Sequence, residues 1–308
     1  MDYTQARVPF MSVTNTVGRL KDKPLEFTPG KIFRYSSSNY VLLGHVIERA
    51  SGEPYRDFLK ERIFKSLGMK DTDCDDDRRI LKNRAAGYSL RSGMLVNASH
   101  VDMSIPFSAG CLYSTVEDLY KWDRALYTER LVSRRTLDAM FSPGKGNYGY
   151  GWYIERQFGS RVTSHSGWLD GFHSYILRVP DRHVSVIVLS NLDSSPSSTI
   201  AHALAAIVLG TRYDTLKERH VVKVTAQLFD AYVGEYEVAP NFIISINKEG
   251  GKLFGHWAGR PTVELLAESE SVFLSESMTR RSPSLRILPD ELHIPSFVST
   301  GGMSKLKR

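Results

Sequence analysis

Two runs in this sequence place residue types at spacings that could do chemistry. In Ser164-His165-Ser166-Gly167-Trp168 a histidine stands between serines in a β-type stretch. A cationic or polar side chain on an edge strand can hold a carboxylate or orient a neighbouring hydroxyl. Gly167, with no Cβ, would let a substrate backbone come close. A histidine beside serine has no specificity of its own, and an ordinary strand-surface histidine fits the same residues. The second run, Asp71-Thr72-Asp73-Cys74-Asp75-Asp76-Asp77, copies the first half of a calcium loop. Asp76 stands where that loop needs glycine and Lys82 where it needs the closing glutamate, so an exposed acidic turn is expected. The other histidines show no zinc spacing, and there is neither a Gly-x-Ser-x-Gly elbow nor a phosphate-binding glycine loop. No metal and no cofactor is expected.

These residues need elements to position them. Asn39–Ser51 has helical spacing at Val41, Leu42, Val46, Ile47 and Ala50, with Gly52 as its stop. Pro54–Leu67 predicts a second helix closed by Gly68, with proline tolerated in its first turn. Residues 71–110 read as long irregular structure. Helices are expected over Thr115–Tyr127, capped by Thr115, and over Ser133–Met140. After Gly144 the texture changes to short β-type runs, Gly149–Phe158, Arg161–Ser166, Phe172–Val179 and His183–Ser190, which predict consecutive antiparallel strands. The last is apolar on both faces and should be central or covered by a helix, and Ser197–Leu209 can supply that cover. Residues 212–224 suit a linker. Tyr232–Tyr236, Phe242–Asn247, Lys252–Trp257, Val263–Ala267 and Ser271–Leu274 then predict a small antiparallel β-barrel.

Composition narrows the function classes. Forty Lys+Arg against 34 Asp+Glu in 308 residues leave a net charge of +6. That excess is too small and too spread out to demand nucleic acid. No apolar run approaches the roughly 20 residues of a membrane-spanning helix. The first 20 residues lack the charged start, apolar middle and cleavage site of a secretory signal, so no export address is expected in the chain. Cys74 and Cys111 have no metal spacing and allow at most one bridge, and two free thiols are the expectation.

The segment Pro29-Gly30-Lys31-Ile32-Phe33-Arg34-Tyr35-Ser36-Ser37-Ser38-Asn39-Tyr40 resembles the second active-site motif of the serine β-lactamase and penicillin-binding family. The likeness is to the branch of class C β-lactamases, D-alanyl-D-alanine carboxypeptidases and related esterases. Ser164–Phe172 resembles that branch's His-x-Gly motif. Ala109–Thr115, Tyr148-Gly149-Tyr150-Gly151-Trp152 and Val184–Asn191 resemble further landmarks in the same order, and Tyr232–Tyr236 opens what looks like an attached lipocalin-like domain. The resemblance implies an α+β (α/β sandwich) fold of the β-lactamase-like transpeptidase kind over residues 1–211, a linker at 212–224 and a lipocalin-like barrel over 225–308. It implies small-molecule or peptide substrates, with Tyr35 as proton-transfer partner and His165 as orienting group. Ser37, in the place of the family's asparagine, and Asn39 become substrate-side hydrogen bonders, although Asn39 equally suits a helix cap. Ser166 and Gly167 would line the substrate strand, and the Trp168 N–H would be an oxyanion donor. The family is usually exported, periplasmic or secreted.

The same resemblance requires a Ser-x-x-Lys at the start of a buried helix upstream of the tyrosine, with the lysine easing loss of the serine proton. None of the 34 residues before Tyr35 supplies it. Ser142–Lys145, Ser245–Lys248 and Ser304–Lys307 match the pattern, against roughly two matches expected by chance. Their contexts are a Pro-Gly turn, a strand and a tail. The chain is therefore expected to be an N-terminally incomplete, inactive hydrolase with an exposed sheet edge. The alternatives are a non-catalytic module binding peptide or cell-wall fragments, and a fragment without independent function. Substrate and oligomeric state are not readable at this level.

Overall fold

A computed structural model describes residues 18, 24–25, 27–91, 93–212, 222, 224–239, 242–257, 262–275, 285–288, 291–293 and 303–304. The backbone divides into two compact units, Met1–Tyr213 and Asp214–Arg308.

In the first unit, helix α1 spans Ser37–Ser51, two residues earlier than the spacing predicts, with Ser36 in extended conformation ahead of it and Gly52 left-handed after it. Asn39 is thus inside the first turn and is not the cap. Helix α2 begins as Tyr55–Leu59, passes through a π-helical stretch at Lys60–Phe64 and ends at Lys65–Leu67. Residues 71–110 are more ordered than expected. They hold β1 (Asp73–Cys74) and the hairpin β2 (Tyr88–Arg91) and β3 (Met94–Asn97), and then a 3-10 turn at Phe107–Ala109. β1 pairs antiparallel with β4 (Leu112–Tyr113). That pairing brings Cys74 beside Cys111, Cα atoms 5.0 Å apart, and the two are disulfide-bonded, correcting the expectation of free thiols. The acidic run is held by cations. Asp73 pairs with Arg56 and Arg79, Asp75 with Arg84, Asp76 with Arg78, and Asp77 faces His100.

Helix α3 (Val116–Ala125) is capped by the Thr115 side chain accepting from the Asp118 N–H, and α4 (Arg134–Met140) by Ser133 in the same way. A four-stranded antiparallel sheet follows in the order β5 (Tyr153–Gln157), β6 (Ser160–Leu169), β7 (Phe172–Val179), β8 (Val184–Ser190). Its apolar residues serve two faces. Val162, Leu177, Val179 and Val186 pack on Ala201 and Ala205 of α5 (Ser197–Val208). Ile154 and Ile176 pack with Leu126, Leu137 and Trp152 on the other face. β8 is covered by α5 but lies at the end of the sheet order, so its two-faced apolarity reflects cover and not a central place. Fully buried Arg178 on β7 reaches Asp123 of α3, Nε to Oδ1 2.5 Å, beneath the Tyr127, Phe141 and Trp152 rings.

The second unit starts with a short helix, α6 (Ala226–Asp230), and continues as an eight-stranded antiparallel meander. Its strands are β9 (Gly234–Ala239), β10 (Phe242–Glu249), β11 (Lys252–Trp257), β12 (Val263–Ala267), β13 (Val272–Ser275), β14 (Leu285–Leu288), β15 (Glu291–His293) and β16 (Met303–Ser304). Phe229, Tyr232, Tyr236, Ile246, Leu253, Leu265 and Phe273 form its core. Most of the expected linker, and the basic tail after Ser304, lie outside the described residues. Among the described residues no helix is long and apolar enough to cross a membrane.

Candidate active site

Tyr35 sits just before α1, and the way α1 is seated decides where that phenol points. Gly44 on α1 is buried, and a Cβ there would run into the Ser108 side chain and the Phe107 ring. The missing side chain lets the Phe107–Ala109 turn close on the helix, where the Ser108 hydroxyl donates to the Tyr40 carbonyl at 2.7 Å. The Tyr35 ring then lies 5.9 Å from Tyr40, 6.0 Å from Tyr148 and 5.8 Å from His165. The structure thus brings together two residues separated by 130 positions in the chain. Tyr35 is 42% exposed, so the cluster it forms with His165 is open to solvent on one side.

β6 supplies the opposite wall. It pairs with β5 only as far as Ser164, opposite Tyr153, and with β7 over Thr163–Leu169. Among the described residues, the side of β6 that faces β5 has no strand partner beyond Ser164, so His165, Ser166, Gly167 and Trp168 form an edge there. An extended peptide or acyl chain can add to such an edge. Gly167 pairs with Ser174, whose hydroxyl occupies the space a Cβ would need. Ser166 is exposed, and the Trp168 indole, 65% exposed, donates from Nε1 to the Asp193 carbonyl at 3.2 Å. Ser37 and Asn39 are both exposed on the first turn of α1.

His165 is enclosed by aromatic rings. Tyr153 stacks on it at 5.8 Å and Tyr148 meets it edge-on at 5.8 Å. Its Nε2 is 2.9 Å from the Tyr148 hydroxyl, and its Nδ1 is 2.6 Å from the Ser166 carbonyl oxygen. Tyr148 in turn is 2.6 Å from the Tyr40 hydroxyl. Burial pushes the His165 pKa below its ordinary value, with the Ser166 hydrogen bond opposing it. Burial, then neighbouring Tyr40 and Tyr153, push the Tyr35 pKa up, and a hydrogen bond from Ser37 works against this. Burial and Tyr40 push Tyr148 up strongly. At neutral pH the cleft therefore holds neutral phenols around a neutral imidazole. Neutral Tyr35 can donate or accept a hydrogen bond as it stands; to take up a proton it must first ionise, which a cation beside it would favour.

Sequence reasoning missed Tyr40, Tyr148 and Tyr153 as members of this site. Tyr148 opens the run Tyr148-Gly149-Tyr150-Gly151-Trp152 that resembles a family landmark, but nothing in that run marks it as a partner of His165. Of the three Ser-x-x-Lys matches, the Ser142 hydroxyl donates to the Asp138 carbonyl at the end of α4, and Lys248 pairs with Asp230 in the second unit. Ser304 is in β16, with Lys307 outside the described residues. Among the described residues no group of acidic, histidine or cysteine side chains could hold a metal ion.

Helices packed on a four-stranded antiparallel sheet, as here, are the architecture of β-lactamase-like folds of the penicillin-binding-protein kind. The chain belongs to the beta-lactamase family, whose sequence profile matches residues 2–210. It is 28% identical over 281 residues to penicillin-binding protein 4* of Bacillus subtilis, covering 82% of this chain and 61% of that protein. A D-stereospecific amidohydrolase from a Streptomyces species superposes with a TM-score of 0.56 at 28% identity, over 66% of this chain and 62% of that one. An octameric penicillin-binding protein homologue from Pyrococcus abyssi shares the fold over 96% of this chain and 71% of its own, with a TM-score of 0.62 and 23% identity. The chain thus spans about three fifths of the length of the Bacillus relative and of the amidohydrolase.

Proposed function

We propose that the Tyr35–His165 cleft is the substrate-binding and proton-handling side of an acyl-transfer site, built to act on peptide, ester or lactam carbonyls. We propose further that the acylating serine is not among these 308 residues. The observation that carries the reading is the convergence of Tyr35, 5.8 Å from His165, on the open edge of β6. In this assignment Tyr35 passes the proton, and Ser37 and Asn39 bond the substrate side. His165 orients, Ser166 and Gly167 line the acyl chain, and the Trp168 N–H stabilises the oxyanion, a contribution of about 3 kcal/mol in comparable hydrolases. The lysine of a Ser-x-x-Lys would be the cation that lets Tyr35 accept a proton. Likeness to a D-stereospecific amidohydrolase favours amide substrates with a D-configured centre.

A cleft without its own nucleophile also supports a second reading, a module that binds peptide or cell-wall fragments without turnover. For the second unit we propose a small lipocalin-like barrel. The meander, with β16 coming alongside β9, supports that closure.

The test is labelling of the purified chain with a fluorescent penicillin and a fluorophosphonate, alongside thermal unfolding with a D-amino peptide. The expected result is no stoichiometric label but ligand-dependent stabilisation, about 2.7 kcal/mol at a hundredfold excess over Kd. Labelling at any serine would refute the absence of the nucleophile. No stabilisation by any such ligand would refute the cleft assignment.

A further inference from the structure

The hydrogen bonds around His165 have only one consistent direction. A carbonyl oxygen can only accept, so Nδ1, 2.6 Å from the Ser166 oxygen, carries a proton. Burial keeps the imidazole neutral, which leaves a single lone pair, on Nε2. The Tyr148 hydroxyl 2.9 Å away must then be the donor to Nε2, and its oxygen can accept from the Tyr40 hydroxyl at 2.6 Å. The donors run from Tyr40 to Tyr148 to His165 to the Ser166 carbonyl. We infer that Tyr148, anchored by Tyr40 on α1, is a positioning residue that holds His165 as the Nδ1-protonated tautomer with its one lone pair occupied.

This inference rests on the reading of the cleft as a hydrolase site, and it narrows what His165 does there. Both imidazole nitrogens are committed, so His165 has no position left to take the Tyr35 proton. It acts on Tyr35 through ring packing at 5.8 Å. The pair of hydrogen bonds also locks the ring against rotation, and with it the start of the open β6 edge. Among the described residues, the titratable groups that face the imidazole are Tyr35 ahead of α1, Tyr148 before β5 and Tyr153 on β5, with Tyr40 reached through Tyr148. Tyr35, Tyr148 and Tyr153 are phenols whose pKa values burial raises, so none of these three supplies a charge at neutral pH that would hold an imidazolium.

The experiment is nitrogen-15 NMR of histidine side chains in the full chain, with His165→Gln to assign the signal. The wild type should carry its proton on Nδ1 with Nε2 hydrogen-bonded. Tyr148→Phe keeps the ring and removes the hydroxyl. It should lower the ratio of Nδ1–H to Nε2–H tautomer about two- to tenfold, the equivalent of one neutral hydrogen bond. Tyr40→Phe should move the ratio the same way by less. A wild-type His165 protonated on Nε2, or an unchanged ratio in Tyr148→Phe, overturns the inference. Should Tyr148→Phe fail to fold, the wild-type tautomer and the Tyr40→Phe shift decide it. None of these signals reads acylation or ligand binding, so the proposed function can fail while the tautomer assignment stands, and the reverse.

Discussion

Arg178 and Asp123 place a full ion pair in the core, with side chains 1% and 2% exposed. Such a pair is weak support for stability while intact, because desolvation offsets the attraction, but removing one partner leaves an uncompensated buried charge. Asp123→Ala should therefore destabilise by about 3–5 kcal/mol, read from urea unfolding. Arg178→Met with Asp123→Leu should lose much less, since the guanidinium already lies under three aromatic rings that an apolar chain can fill. A single substitution costing under about 1 kcal/mol would contradict the pair's role. At this scale Tyr35 and His165 stand out in the sequence because each sits in a recognisable local string, and the structure brings their rings to 5.8 Å. Tyr148 does not, because its role depends on a 2.9 Å approach to a strand that no local string encodes. The cysteines mislead for the same reason. They are 37 residues apart and become neighbours only through the β1–β4 pairing.

Elements were legible where one period dominates. Phe172–Val179, Lys252–Trp257 and Val263–Ala267 form strands over the expected ranges, each being a run of β-type residues bounded by turn formers. β6 runs three residues beyond the expected Ser166, because Gly167 continues the strand and leaves room there for the Ser174 hydroxyl. The hairpin β2–β3 was read as irregular. Tyr88-Ser89-Leu90-Arg91 alternates over only four residues and Met94-Leu95-Val96 does not alternate, while Gly93 in the left-handed region sits in the turn between them. Helix α1 shows how an element, and not a side chain, can place a site. Gly44→Ala adds helix propensity of about 1 kcal/mol, yet its Cβ meets Ser108 and Phe107, and overpacking of that kind costs about 1–3 kcal/mol. The clash should win, lowering stability and moving Tyr40 away from Tyr148. Adding Ser108→Gly should recover most of the loss, as measured by thermal unfolding. A Gly44→Ala chain more stable than wild type would show that the turn yields without cost.

At the scale of the whole molecule, each unit has a core of its own, but the first also leaves large apolar side chains outside. Leu42, Leu43 and Val46 on α1, and Leu204, Ile207 and Val208 on α5, are all at least 38% exposed. Leu189 on β8 is 42% exposed, on a strand that ends the sheet order. Scattered exposed apolar residues are ordinary, but Leu204, Ile207 and Val208 share one face of α5, and among the described residues β8 ends its sheet, so both offer sites for association. A net charge of +6 spread over 308 residues is too weak to oppose contact at physiological ionic strength. The chain should accordingly self-associate with rising concentration in sedimentation velocity. Replacing Ile207 and Val208 together by Gln should shift the distribution toward monomer without changing the unfolding midpoint, because neither side chain contributes to the Val162, Leu177, Ala201 and Ala205 core. A chain that stays monomeric at every concentration, or an Ile207→Gln and Val208→Gln variant that associates as the wild type does, would show that these side chains are tolerated in water and that the α5 face is not the contact surface.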